Sequence, residues 1–315
     1  MTTARQPDGA GEVALAAGQS ASHAFHAVLG AVARGFDVLR FADVSRDRLR
    51  RDYADLLARV EVARLASPAA TEITAAFLEG LSASVVWQTG DDEVPLATAL
   101  QSAVPAPPLQ RRELAGPPGW RPGLIYRGRR WQGKELAALA AELGERGVVS
   151  QAAVASLRTM SVRLGDEALD LRGRRIAMLG ANAEMAPTRL WLRAGAEILW
   201  LDVAPPPDDW LNDDTLAGTL VWPQRPVDLL RDPQGALAAL RAFAATGPID
   251  LGLYAYAPGR ARELRLTAAM NAIVDALPRE CVASVTMLVS PTTPTRLSPA
   301  DVVAMQRRLA DRPAW

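Results

Sequence analysis

The sequence predicts an α/β protein: a doubly wound parallel sheet from about Leu171 to Trp315, preceded by a mainly helical domain. Three observations predict it. From Leu171 onward, five short apolar runs alternate with stretches of helical spacing, a rhythm that calls for parallel strands joined by right-handed crossovers. The first run closes on a glycine, Gly180, and the second on an acid, Asp202. Before Leu171, apolar residues recur mostly every three or four positions.

Taken in order, residues 1–22 are small, polar and unpatterned, and read as a disordered tail. Residues 23–120 read as a helical domain. Leu49, Tyr53, Leu56, Leu57, Val60, Val62 and Leu65 mark one buried stripe, and Ser67-Pro68 opens a second helix through Ile73, Phe77, Leu78 and Leu81. The domain ends in a candidate linker rich in proline and glycine, Pro105 to Pro108 and Gly116 to Trp120. Residues 121–170 read as a hairpin and helices packing on the core. Leu124-Ile-Tyr126 and Arg130-Trp-Gln132 flank an Arg-Gly pair, a helix runs from Lys134 to about Arg146, and Ser150 caps another. Within residues 171–315 the expected strands are Ile176–Leu179, Ile198–Leu201, Thr219–Trp222, Ile249–Tyr254 and Val282–Val289. The expected helices are Met185–Ala194, Pro233–Ala245, Arg260–Leu277 and Pro299–Ala310.

Composition narrows the function classes. The chain has 315 residues, 49% hydrophobic and 22% charged, with 35 basic and 35 acidic side chains. A net charge of zero gives no electrostatic case for nucleic acid or for acidic membranes. No apolar run is long enough to span a bilayer, and Met1–Gly18 lacks the basic and apolar regions of a signal peptide, so a cytoplasmic location is expected. Cys281 is the single cysteine; entering a strand, it reads as a packed side chain rather than a nucleophile. His23 and His26, three apart, do not make a metal site, and none is expected. Lys134 is the only lysine. Either it supplies the compact or deprotonable amine that arginine cannot, which makes it a catalytic candidate, or it survives by chance in a first helical turn.

The chemistry-bearing segment is Arg174-Arg-Ile-Ala-Met-Leu-Gly180-Ala-Asn182-Ala-Glu184-Met185, running from strand through glycine to helix, with Asp202 22 residues after Gly180. A glycine permits the tight turn, a helix N-terminus offers amides to phosphate, and an acid on the second strand accepts from ribose hydroxyls. Leu171 to Ala181 resembles the entry to the NAD(P)-binding Rossmann domains of shikimate dehydrogenase and glutamyl-tRNA reductase. That resemblance covers some thirty residues. It implies a dinucleotide site at Gly180, Ala181, Asn182, Glu184, Met185 and Asp202, with NAD preferred over NADP because a carboxylate repels a 2′-phosphate. Asn182 and Met185 stand where the G-x-G-x-x-G pattern has glycine, and Glu184 adds negative charge where phosphate would lie.

Other motifs weigh less. Gly128 to Glu135 fits G-x-x-x-x-G-K but puts a carboxylate where a magnesium-binding hydroxyl is needed. Tyr256-Ala-Pro-Gly-Arg260 imitates the Tyr-x-x-x-Lys pair of short-chain dehydrogenases, yet Pro258-Gly259 breaks the helix that pair requires. Topology instead places Tyr254 and Tyr256 at the strand ends, where a phenol can protonate a carbonyl as hydride arrives. The helix after them offers Arg260, Arg265 and Asn271 to a substrate carboxylate, and Ser290 to Pro294 borders the same edge. For any one of these, packing in the core or solvating a helix face is the plainer role.

The leading expectation is an NAD(P)-dependent oxidoreductase of specialised metabolism acting on a small carbonyl or hydroxyl compound, with homo-oligomerisation left open. Two alternatives stand beside it. One is a non-catalytic Rossmann-like binding or scaffold protein, favoured by the missing glycines. The other is an S-adenosylmethionine-dependent methyltransferase, which shares the alternating architecture and an acid ending the second strand, although Met178-Leu-Gly180 offers neither the acid at the end of strand one nor the second glycine of its usual turn.

Overall fold

A computed structural model describes residues 11–257, 259, 261–289 and 298–311. It begins with strand β1 (Glu12–Leu15), followed by helices α1 (Ala21–Gly35), α2 (Arg46–Ala66) and α3 (Ala70–Ala83). Ser20 and Ser45 cap α1 and α2, each hydroxyl accepting from an amide three residues on. The three helices, with Leu39 from the turn between α1 and α2, close a core of their own around Leu29, Leu56 and Ile73. Tyr53, Val62 and Leu78, expected on the buried stripes, are exposed because they fall on the outer faces of their helices. Strands β2 (Val85–Thr89) and β3 (Asp92–Pro95) pair antiparallel, β1 takes the other edge of β2, and a short helix α4 (Leu96–Ala99) follows. Two expectations are corrected here. Within the stretch expected as a tail, residues 12–15 form a strand, because Val13 and Leu15 gain a buried strand partner. The domain drawn over residues 23–120 holds a sheet as well as helices, and its Val85, Leu96 and Leu100 share one core with the later parallel strands.

The expected linker also supplies structure. Strand β4 (Leu109–Glu113) lies antiparallel to a strand of the main sheet and pairs Leu109 with Pro223 through Glu113 with Thr219. Next come β5 (Gly123–Tyr126) and β6 (Arg129–Gln132), the expected hairpin. Its two turn residues, Arg127 and Gly128, both have positive φ, the type I′ geometry that matches the twist of paired strands. Helices α5 (Glu135–Glu145) and α6 (Gln151–Leu164) follow, with Ser150 capping the second. This module was expected to pack on the main core. It instead gathers Leu136, Leu139 and Leu143 into a separate small one.

The remaining strands and helices alternate: β7 (Arg175–Leu179), α7 (Thr188–Arg193), β8 (Glu197–Leu201), α8 (Asp208–Leu211), β9 (Thr219–Pro223), α9 (Pro233–Ala244), β10 (Ile249–Leu253), α10 (Ala261–Asp275), β11 (Val282–Met287) and α11 (Pro299–Ala310). The six-stranded sheet has the order β11-β10-β7-β8-β9-β4, with every pair parallel except β9 and β4. Alternate side chains face opposite layers. Ala177, Leu179, Leu199 and Leu251 meet α9 and α10, while Ile176, Met178, Ile198 and Trp200 meet Leu192 of α7 and Trp210 of α8. Strands covered on both faces must be apolar throughout, hence the unbroken runs in the sequence.

The largest local departure follows β7. The helix expected over Met185–Ala194 begins only at Thr188, so residues 180–187 form a loop. Thr188 Oγ1 donates to the Ala181 carbonyl at 2.7 Å and holds the loop to the helix start.

Candidate functional site

Strand order reverses beside β7: β8 and β9 lie on one side, β10 and β11 on the other. At such a point the loops leaving the carboxyl ends of neighbouring strands part in opposite directions and leave a crevice. A cleft of about 250 Å³ opens there. Gly180, Asn182 and Asp202 line it from the ends of β7 and β8, Tyr256 from the end of β10, and Arg262 from α10. Asp228 joins them from the segment after β9.

The turn is built around one glycine. Gly180 has φ +85°, and a Cβ there would collide with the Ala255 backbone. That backbone is fixed in turn, since the amides of Tyr254 and Ala255 both donate to the Leu179 carbonyl at 2.8 and 2.7 Å. Sequence reasoning placed Gly180 here for a phosphate; the close approach of two loops already requires it.

The acid at the end of β8 faces back across the cleft. Asp202 Oδ2 accepts from the Asn182 amide at 2.9 Å, and its other oxygen accepts from Ala204 at 3.4 Å. The loop uses further amides internally: Ala183 donates to the Gly180 carbonyl and Ala186 to that of Ala183. Each carboxylate oxygen of Asp202 keeps a second lone pair for a hydroxyl donor. Asp228 lines the cleft too; its Oδ1 accepts from the Leu230 amide at 2.9 Å in a tight local turn, and its Oδ2 lies 3.9 Å from the Arg231 guanidinium. Arg262 has no hydrogen-bond or ion-pair partner among the described residues, although two carboxylates line the same cleft.

The structure brings together some of the expected residues and not others. Gly180, Asn182, Asp202 and Tyr256 share the cleft. Ala181 is buried on the α7 side of the sheet. Glu184 and Met185 stand on the loop facing solvent, Met185 66% exposed, so neither fills the cleft nor begins a helix. Tyr254 is turned to the opposite layer, where its ring meets that of Trp191 edge to face at 6.4 Å. Burial there raises the pKa of its phenol, contrary to what a proton donor at the strand ends needs. Lys134 lies on the hairpin module, 77% exposed, with its Nζ 3.0 Å from Asp166, and is not part of the cleft. Arg265 and Asn271 do not line it either, and the Arg265 guanidinium lies 3.7 Å from Glu12 of β1. Arg260 and the Ser290 to Pro294 loop fall outside the described residues.

Arg262 and Asp228 were missed. A helix-borne arginine two residues past Arg260 had no sequence mark to distinguish it, and Asp228 follows β9 in a Pro-Val-Asp-Leu segment that reads as an ordinary loop. Among the described residues no group of three His, Cys, Asp or Glu could hold a metal ion, and no helix is long and apolar enough to cross a membrane.

A nicotinamide dinucleotide needs donors for its diphosphate, and the residues present do not supply them at the turn. The Asn182 amide is taken by a carboxylate, no helix begins there, and the Asp202 carboxylate lies against the turn itself. An adenosyl group without phosphates meets no such conflict. No family model, curated protein or solved structure matches the chain.

Proposed function

We propose that the chain is a doubly wound, Rossmann-like nucleoside-binding protein whose ligand is S-adenosylmethionine, and that its reaction class is methyl transfer. One observation carries this reading: the Asp202 carboxylate closes on the Asn182 amide, which puts negative charge where a diphosphate would need donors. The cleft offers two carboxylates, of which Asp228 also lies 3.9 Å from Arg231, and one guanidinium, that of Arg262, without a partner among the described residues. That set complements a ligand with ribose hydroxyls, a sulfonium and an amino-acid head. Asp202 would accept from the ribose hydroxyls, Asp228 would face positive charge, and Arg262 would hold the carboxylate by paired N–H bonds. Val203, Val227 and Leu229 supply an apolar wall for the base. The ligand supplies an activated methyl group. Tyr256, 62% exposed at the cleft, stands where an acceptor would enter.

Hydride transfer with NAD is the second reading. It is favoured by the Gly180 turn and by an acid in the ribose-binding position of the second strand. One titration separates the two. Calorimetry of the purified chain with S-adenosylmethionine, S-adenosylhomocysteine, NADH and NADPH is expected to give saturable binding of the first two alone. Asp202→Ala should abolish that binding, and Arg262→Gln should weaken it about tenfold, the loss of a charge-assisted pair. Saturable binding of NADH, with none of S-adenosylmethionine, would overturn the assignment in favour of hydride transfer.

A further inference from the structure

A second cavity, of about 340 Å³, opens between the N-terminal elements and α10, away from the cleft at the strand ends. Its inner surface is formed by Val85, Leu96 and Leu100, each at most 2% exposed and each part of the main core. Ala268 and Ala272 of α10 face it one helical turn apart. Leucines there would close the space. Interiors normally fill such volume, because an apolar wall facing a void loses its dispersion contacts. A cavity of this size falls at the small end of ligand pockets, which span about 300–1,000 Å³.

The cavity's polar lining is Ser82, Gln101, Arg241 and Asp275, all exposed, and the last two carry opposite charges. Arg241 of α9 donates to the Ala276 carbonyl at 3.0 Å, which holds its guanidinium beside the end of α10. Asp275, on the same lining, has no hydrogen-bond or ion-pair partner among the described residues. An apolar interior with one cation and one free anion at its rim complements a zwitterion that bears an apolar side chain. A fatty acid would leave Asp275 facing a like charge, and an aliphatic amine would do the same to Arg241.

We propose that this cavity binds a free amino acid with a branched or aromatic side chain, its carboxylate on Arg241 and its ammonium on Asp275. The inference does not rest on the identity of the ligand in the other cleft. The two sites share α10, which carries Arg262 and Leu266 of the cleft on its first turns and Ala268 and Ala272 of the cavity further along.

Calorimetry on the full chain tests it with L-leucine, L-phenylalanine and L-glutamate, and with two half-ligands, 4-methylpentanoate and 3-methylbutylamine. The expected result is saturable binding of leucine or phenylalanine, none of glutamate, and each half-ligand weaker by about tenfold or more, the cost of one missing charge-assisted pair. Ala272→Leu should remove binding while circular dichroism shows the fold kept. Arg241→Gln, on an exposed side chain, should weaken binding about tenfold by the same loss. The proposal falls if no amino acid binds the folded chain, if Ala272→Leu binds undiminished, or if either half-ligand binds as tightly.

Discussion

Replacing Gly180 by alanine isolates the close approach on which the carboxyl-edge cleft is built. Two costs arise. At φ +85° an L-residue is held in the left-handed region, worth about 1–2 kcal/mol. The new Cβ also meets the Ala255 backbone, which two hydrogen bonds to the Leu179 carbonyl hold in place. If the β10 loop retreats it loses at least one of these bonds, about 1 kcal/mol, and disturbs the packing around it for about as much again. The sum is about 3–4 kcal/mol. Gly173 supplies the control, because it has φ +79° and nothing within 4 Å of an added Cβ, so Gly173→Ala should cost only the backbone part, about 1–2 kcal/mol. Urea unfolding of the two variants and the parent reads both values. The reasoning is refuted if Gly180→Ala destabilises no more than Gly173→Ala.

Three further outcomes are expected. Tyr254→Phe should leave ligand titrations at the cleft unchanged, since its ring packs on Trp191 in the opposite layer; a loss of binding would return Tyr254 to the site. Asp213 accepts from the amide and hydroxyl of Thr215 and from Arg189, which hold its carboxyl down at about 2, below the ordinary 3.8. Its contribution to stability is thus complete above about pH 4 and lost as pH falls toward 2. Asp213→Asn should be less stable than the parent at pH 5 and lose less stability across that window, as followed by denaturant titration. Trp200 is 1% exposed, and its Nε1 donates to the Ala204 carbonyl at 2.8 Å while its ring meets Trp210 edge to face. Trp200→Phe should cost about 1–3 kcal/mol by thermal or chemical unfolding, from a void and an orphaned carbonyl. A loss below 0.5 kcal/mol, the scale of a neutral surface change, would contradict that packing.

Legibility in the sequence followed burial in part. The five parallel strands lie within a residue or two of their expected limits. Burial between two layers leaves β7, β8 and β9 apolar along most of their length, whereas β11 is exposed beyond Val282 and was legible from its β-branched residues. The hairpin was legible from Arg127-Gly128, whose backbone demands are local. β1 and β4 were not. Glu-Val-Ala-Leu is too short to carry a period, and Leu-Gln-Arg-Arg-Glu pairs along one edge only, so its side chains stay polar. The candidate site was half legible. Alternation along β10 would put Tyr254 and Tyr256 on one side, but the strand ends at Leu253 and the chain turns, so only Tyr256 reaches the cleft. Asp202 stood where expected, yet its partner is a main-chain amide, which no residue pattern records.

The antiparallel edge strand constrains how the polypeptide can be made. Synthesis proceeds from the amino end, so β4 emerges well before β9, the strand that satisfies its main-chain groups, and Val13 must wait for a carbonyl at Leu230. Until then only the helical layer around Ile73 and the hairpin module hold the contacts they need. Closure of the main sheet waits until β9 to β11 have been made. A nascent chain paused short of Pro223 would carry an open strand edge and an unburied Val13, the kind of surface that molecular chaperones recognise.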